Sequence, residues 1–232
     1  MSEVMIITGT RKGIGRYLVD YYLEKGFQVV GCSRLPMDPA PDGYQHYCLD
    51  VSDEVAVGRM VSEVFKDRGG IDVLINNAGV ASMNHTMLTP LSTVKSIFST
   101  NVFGTFLFAR EVAKTMIRHK YGRIVNFATV ATPMRLEGEA AYAASKAAVT
   151  SYTEIMAKEL APFNITVNAV GPTPVETDLI RSVPEEKIGA LIDAQAIKRL
   201  GEFRDISNVI DFFISRSSDF ITAQIIYLGG IG

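Results

Sequence analysis

Val4-Met5-Ile6-Ile7-Thr8-Gly9-Thr10-Arg11-Lys12-Gly13-Ile14-Gly15 stands almost at the start of the chain and decides how the remaining residues are read. The apolar run reads as a strand covered on both faces, and the glycines after it make a tight turn into a helix. The first N–H groups of such a helix have no partner within it, so they form a site that attracts a phosphate. The spacing is G-x-x-x-G-x-G, which differs from the general G-x-G-x-x-G dinucleotide fingerprint. Glycines so spaced also suit a helix start that binds nothing; their place directly after a first strand favours the binding role.

Working outward, short β-branched runs recur at Val4–Thr8, Gln28–Cys32, Tyr47–Leu49, Val73–Asn76, Arg123–Phe127, Ile165–Val170 and Ile225–Leu228. Helix-like segments lie between them: Gly15–Lys25, Glu54–Arg68, Leu91–His119, Glu139–Leu160, Glu185–Gln195 and Asp205–Ser215. Near-continuous apolar strands alternating with helices predict an α/β fold, a Rossmann-like doubly wound parallel sheet of about seven strands with helices on both faces. No linker or repeat divides the chain, so residues 1–232 read as a single dinucleotide-binding and catalytic domain. In such a sheet, ligands lie beyond the carboxyl ends of the strands, and the loops there carry the unusual residues.

Composition excludes several classes of function. Twenty-three Lys plus Arg against twenty-five Asp plus Glu give a net charge of −2, without the basic excess that nucleic acid binding needs. The longest apolar candidate, between Lys95 and Arg110, is interrupted by Ser, Thr, Asn and Gly and is too short for the roughly 20 apolar residues of a membrane span. Met1-Ser2-Glu3 followed by a short apolar run is not an export signal, so the expected location is cytoplasmic. Cys32 and Cys48 lack partners at metal-ligand spacing and read as small buried residues; no metal site is expected.

Thr8-Gly9-Thr10-Arg11-Lys12-Gly13-Ile14-Gly15, Asn76-Asn77-Ala78-Gly79, Tyr142-Ala143-Ala144-Ser145-Lys146 and Asn168-Ala169-Val170-Gly171-Pro172 together resemble the short-chain dehydrogenase/reductase family in order and spacing over the whole chain. The compact 3-oxoacyl-(acyl-carrier-protein) reductase type is the most similar, down to Val175-Glu176-Thr177-Asp178 and Ile221-Thr222-Ala223-Gln224. The resemblance implies a nicotinamide cofactor on Gly9, Thr10, Arg11, Lys12, Gly13, Ile14 and Gly15. Asp50 and Val51 would take the adenine, and Asn77, Ala78, Gly79, Tyr142, Lys146, Pro172, Val175 and Thr177 the remainder.

An NAD site offers a carboxylate at the end of the second strand, whereas an NADP site replaces it with cations. Gly31-Cys32-Ser33-Arg34 has no acid until Asp38. Arg34 can clamp a 2′-phosphate, Ser33 can donate to it, and Lys12 or Arg11 adds charge from the glycine loop, so NADP(H) is expected over NAD(H).

A carbonyl that accepts hydride needs a proton on its oxygen, and a phenol serves if its pKa of about 10 is lowered. Tyr142 and Lys146 are one helical turn apart, and a neighbouring ammonium favours phenolate. Tyr21 and Lys25 repeat the spacing in the first helix, away from any strand-end loop, and read as structural. By resemblance, Thr129 is the substrate-orienting hydroxyl where relatives usually have Ser. Asn101 would hold a bent helix whose free carbonyl binds a water passing protons to Lys146. The catalytic set is therefore Asn101, Thr129, Tyr142 and Lys146.

The expected activity is NADP(H)-dependent reduction of a ketone, 3-oxoacyl-like or other, with Tyr142 as general acid. Two alternatives stay open: an NAD(P)-dependent alcohol or sugar-nucleotide oxidoreductase, and a non-catalytic NADP sensor. The substrate is a small carbonyl or alcohol, free or carrier-bound. Lys120 and Arg123 are candidates for a basic docking patch at the site mouth, although Phe163 stands where carrier-protein reductases tend to have Arg. Ala81–Leu88, Ala131–Gly138 and Leu179–Gln195 would line the substrate pocket, Met83, Met87, Met134 and Leu136 giving apolar walls and His85, Arg135 and Glu137 polar ones. Pro172-Thr173-Pro174 replaces the family's Pro-Gly and stiffens that loop. The Leu91–His119 helix is apolar around much of its circumference, and relatives pair through it and the next helix, so a homodimer or homotetramer is expected.

Overall fold

The computed structural model describes residues 2–175 and 185–231. Within them β1 (Val4–Thr8), β2 (Gln28–Ser33), β3 (Gln45–Cys48), β4 (Val73–Asn76), β5 (Gly122–Phe127), β6 (Ile165–Gly171) and β7 (Ile225–Tyr227) form one sheet in the order β3-β2-β1-β4-β5-β6-β7. All pairings are parallel. The chain runs outward from β1 to β3, then returns to start again at β4 beside β1. A crevice therefore opens at the carboxyl ends of β1 and β4, where the winding direction switches.

The helices are α1 (Gly13–Glu24), α2 (Glu54–Arg68), α3 (Leu91–Phe98), α4 (Gly104–His119), α5 (Ala131–Met134), α6 (Ala140–Leu160), α7 (Glu185–Ala194) and α8 (Phe203–Ile214). Alternation within β1 sends Val4 and Ile6 into a core with Val57 and Met60 of α2, Phe108 and Val112 of α4, and Met156 of α6. Met5 and Ile7 enter the opposite core with Leu18 and Val19 of α1 and Ile206, Ile210 and Phe213 of α8. Covering both faces is what makes the central strands read as near-continuous apolar runs.

Two expectations are corrected. The Leu91–His119 stretch is not one helix: a π-helical turn, Ser99–Phe103, separates α3 from α4. The Asn101 side chain is drawn away to the loop after β4, and the Asn101 carbonyl takes the Thr105 hydroxyl at 2.8 Å. Cys32 is buried as expected, and burial pushes its thiol up to about 12, but Cys48 is exposed. Cys48 ends β3, the sheet's edge strand, which is only partly covered.

Candidate active site

The glycine turn is clamped to the loop after β4. Asn77 Nδ2 donates to the carbonyls of Thr8 (2.9 Å) and Gly9 (3.1 Å), and the Ala78 N–H donates to Thr8 Oγ1 at 2.9 Å. Gly9 has φ +74°, and a Cβ there would lie 2.8 Å from Ala78 Cα; a Cβ on Gly15 would lie 2.2 Å from the Gly9 carbonyl oxygen. Only glycine permits this approach. Lys12, preceding α1, makes no side-chain cap, and Gly13, Ile14 and Gly15 line a cavity of about 1200 Å³. Uncapped N–H groups beside a cavity are suited to a phosphate, and the volume exceeds the roughly 300–1,000 Å³ of ordinary small-ligand pockets. The residues present fit a dinucleotide.

Gly9, Arg11, Lys12, Ser33, Arg34, Asp50 and Val51 line one part of this cavity, and Asn77, Ala78 and Gly79 its middle. Thr129, Tyr142, Lys146, Pro172 and Val175 line it too. Among the expected cofactor residues, Thr10 is not in the lining. Its N–H and hydroxyl turn inward to the Cys32 carbonyl, and its hydroxyl meets that of Tyr44, which buries it completely. Thr177 lies outside the described residues. Asp50 is held below the usual carboxylate range: burial works against this, but two hydrogen bonds from Ser52 and the Arg34 charge outweigh it.

At the reacting end, burial pushes the Tyr142 phenol up to about 12, against a hydrogen bond with Thr129 that pulls it down, while the Glu139 charge adds to the rise. The expectation of a Tyr142 pKa lowered by Lys146 is not met by the protein alone. The ammonium instead donates to the Phe127 carbonyl at 2.8 Å, and burial lowers its own pKa to about 8. Thr129 accepts a hydrogen bond from the Ala131 N–H at 3.3 Å. Asn101 is fully buried behind this group and does not line the cavity. Its Oδ1 accepts from the Val80 N–H (2.8 Å), and its Nδ2 donates to the Val80 carbonyl (2.9 Å) and Ser145 Oγ (3.0 Å). Its carbonyl is not free as expected, because Thr105 already donates to it.

Ser145 was not singled out by sequence reasoning, yet it completes a line from Asn101 to the Tyr142 carbonyl, to which its hydroxyl donates at 2.7 Å. The available signal was a small polar residue inside Tyr142-Ala143-Ala144-Ser145-Lys146. Glu139 was also passed over. It lines the cavity three residues before Tyr142 with one carboxylate oxygen buried and without a partner, and burial raises its pKa despite Lys187.

On the substrate side, Met83, Met134, Leu136 and Glu137 line the cavity, whereas Met87, His85 and Arg135 do not. Lys187, Ile188 and Leu191 of α7 add to the lining. Lys120 and Arg123 do not form a patch at the mouth: Lys120 comes directly after α4 and Arg123 is the second residue of β5, both at the amino edge of the sheet. Arg123 is buried there, its guanidinium 4.7 Å from the Tyr121 ring, with Arg216 4.5 Å from the same ring.

A doubly wound sheet with a glycine cradle at α1 and a tyrosine–lysine pair at the far end of the same cavity defines a nicotinamide-dinucleotide oxidoreductase. The short chain dehydrogenase family model matches residues 3–188, and the chain belongs to that family. It is an oxidoreductase acting on alcohol or carbonyl groups and binding a nicotinamide cofactor. It is 30% identical to the 3-oxoacyl-[acyl-carrier-protein] reductase of Vibrio cholerae over 99% of this chain and 96% of that protein. Among solved structures, ElxO with NADP bound shares 26% identity at a TM-score of 0.90, covering 98% of this chain and 97% of that one. NAD+-bound xylitol dehydrogenase shares 29% at 0.91, covering 98% of each. Among the described residues no helix is long and apolar enough to cross a membrane, and no group of His, Cys, Asp and Glu could hold a metal ion.

Proposed function

We propose that this chain is an NADP(H)-dependent reductase that converts a ketone to a secondary alcohol, with residues 1–232 acting as one binding and catalytic domain. The observation that carries the reading is the convergence of Thr129, Tyr142 and Lys146 on one end of the cavity whose other lining includes Ser33 and Arg34. The bound nicotinamide supplies hydride exchange. Tyr142 gives a proton to the carbonyl oxygen, Thr129 orients that oxygen by a hydrogen bond, and Lys146 holds the cofactor ribose and favours phenolate by its charge. Asn101 positions these groups by tying the loop after β4 to α6. The glycine loop with Arg11, Lys12, Asn77, Ala78 and Gly79 holds the cofactor's phosphates and ribose, Asp50 and Val51 its adenine, and Pro172, Val175 and Thr177 its carboxamide end.

Cofactor choice is tested by fluorescence titration with NADPH and NADH, and then by turnover on a panel of ketones. Tighter binding of NADPH, lost at least tenfold in Arg34→Ala with NADH unaffected, is the expected outcome. Equal affinity for both nucleotides overturns the NADP reading. The Vibrio cholerae relative points to 3-oxoacyl substrates. A second reading, oxidation of a polyol or sugar-type alcohol, is favoured by the partnerless carboxylate oxygen of Glu139 in the lining, which suits a substrate hydroxyl better than an acyl chain. The xylitol dehydrogenase neighbour supports it.

The chain is further proposed to form a homodimer or homotetramer through α4 and α6. Phe103, Phe106 and Ile155 are exposed on these elements and the turn before α4, and the Phe106 ring lies 5.7 Å from that of Tyr152. Sedimentation at micromolar concentration is expected to give an oligomer, and a monomer overturns this.

A further inference from the structure

Behind the loop after β2 runs a chain of side-chain hydrogen bonds for which the proposed reaction has no use. Thr10 Oγ1 lies 2.6 Å from the Tyr44 hydroxyl, which lies 2.9 Å from His46 Nδ1. His46 Nε2 lies 3.1 Å from the Leu35 carbonyl oxygen and 3.2 Å from Ser33 Oγ, which itself donates to the Leu35 carbonyl at 2.5 Å. At the other end Thr10 Oγ1 is 3.3 Å from the Cys32 carbonyl oxygen. The backbone makes room for this chain: a Cβ on Gly31 would lie 2.5 Å from the Tyr44 hydroxyl. Ser33 and Leu35 line the cavity, while Thr10, Tyr44 and His46 do not. His46 thus stands one layer behind the residues assigned to the cofactor's 2′-phosphate.

The order of protons along the chain has two complete solutions. A carbonyl oxygen only accepts, so the His46 Nε2 bond to Leu35 requires a proton on Nε2 in either state. With neutral imidazole, Nδ1 accepts from Tyr44 and Tyr44 accepts from Thr10. With imidazolium, Nδ1 donates to Tyr44, Tyr44 to Thr10, and Thr10 to the Cys32 carbonyl. Every donor keeps an acceptor in both arrangements, so proton uptake strands no buried group.

The charged and titratable groups near the other members of this chain come from α1, from β2 and β3, and from the loops after those two strands. Arg34 comes directly after β2, and Asp50, engaged with Ser52 and facing Arg34, comes after β3. Arg16 of α1 faces Tyr44 and is bonded to Asp20 and the Pro39 carbonyl. The thiols of Cys32 on β2 and Cys48 on β3 also face Tyr44. Burial holds His46 below the usual imidazole range, against its bond to Leu35, so the protein alone favours the neutral arrangement at pH 7.

We propose that His46 is a pH-responsive positioning residue for the phosphorylated end of the cofactor. A 2′-phosphate on Ser33 and Arg34 draws a proton onto His46, and the reversed chain then favours the phosphorylated over the unphosphorylated dinucleotide as pH falls. The inference rests on the reading of Ser33 and Arg34 as the phosphate end.

The test tracks the His46 Cε1–H resonance by NMR in the wild-type protein saturated with NADPH or with NADH, the signal being assigned as the one that persists in both His85→Gln and His119→Gln. The expected midpoint with NADPH is higher by at least about half a pH unit, equivalent to about a threefold change in affinity ratio. By linkage, the NADPH-to-NADH affinity ratio of the wild type, divided by that of His46→Gln, rises as pH falls from about 8 through the two midpoints and approaches about threefold below both of them. The phosphate's own proton uptake near pH 6 affects both proteins alike and cancels in that quotient. Equal midpoints with the two nucleotides overturn the inference, and because that measurement uses wild-type protein it stands even if the variant fails to fold. An unchanged NADPH-to-NADH ratio in Arg34→Ala instead overturns the cofactor reading beneath it.

Discussion

The chain contains the spacing Tyr-x-x-x-Lys twice, at Tyr21 and Lys25 in α1 and at Tyr142 and Lys146 in α6, and the two copies do different things. In α1 the tyrosine and the lysine reach the same carboxylate: the Tyr21 hydroxyl donates to Asp211 at 2.6 Å and Lys25 Nζ lies 2.5 Å from it. The buried Tyr22 donates to the other oxygen of Asp211 at 3.1 Å, which ties α1 to α8. In α6 no carboxylate among the described residues pairs with the lysine. Lys146 donates to the Phe127 carbonyl, while Tyr142 meets Thr129 beside the cavity. One copy commits its polar groups to another helix, whereas the other is turned toward the crevice at the strand ends. The identical spacing shows that the helical turn supplies only adjacency, and that the elements packed against it set the chemistry.

The sharpest way to break this comparison is the same substitution at both copies. Tyr142→Phe should lower turnover by at least about 100-fold with nucleotide binding intact, whereas Tyr21→Phe should leave turnover within about twofold. Steady-state kinetics on the pair decides it, and comparable losses at both positions would erase the distinction. The lysines should part on pH. Lys146 loses its charge as pH rises through about 8, so kcat/KM for reduction should fall with unit slope above that value; Lys146→Met should lose the limb together with most of the rate. The linkage has the opposite sign for stability. The folded value lies below the ordinary 10.5, so charged Lys146 costs stability below about pH 8, and that cost fades as pH rises from 8 to 10.5. The smallest effect belongs to the structural copy. Asp211→Ala leaves the buried Tyr22 hydroxyl without an acceptor and should cost about 1–3 kcal/mol by urea unfolding, with kcat near wild type.

Much of the fold was legible because it rests on local physics. Central strands such as Val4–Thr8 and Ile165–Gly171 are buried along their whole length, and a strand covered on both faces is mostly apolar for that reason. The glycine turn was legible too, since Gly9 and Gly15 sit where any Cβ would collide with the neighbouring backbone. What escaped depends on partners distant in sequence. The π-helical turn within Leu91–His119 accompanies bonds from Asn101 to Val80, 21 residues away, and to Ser145, 44 away. Thr10 sits in the binding motif, yet its hydroxyl is claimed by Tyr44 on another loop. Arg123 looked like surface charge, but β5 carries it into the amino edge of the sheet beside Tyr121.

By itself the sequence determined the alternation of strands and helices, the phosphate-suited turn after β1 and the pairing of a phenol with an amine one turn apart. Each of these depends on residues within a few positions of one another, where sterics and helical periodicity act directly. Only the tertiary structure decided which groups each tyrosine–lysine pair meets, that Asn101 ties the loop after β4 to α6, and that His46 lies behind Ser33. Those outcomes depend on strand order and on which loops close over one another, and such contacts exist only after the sheet has assembled.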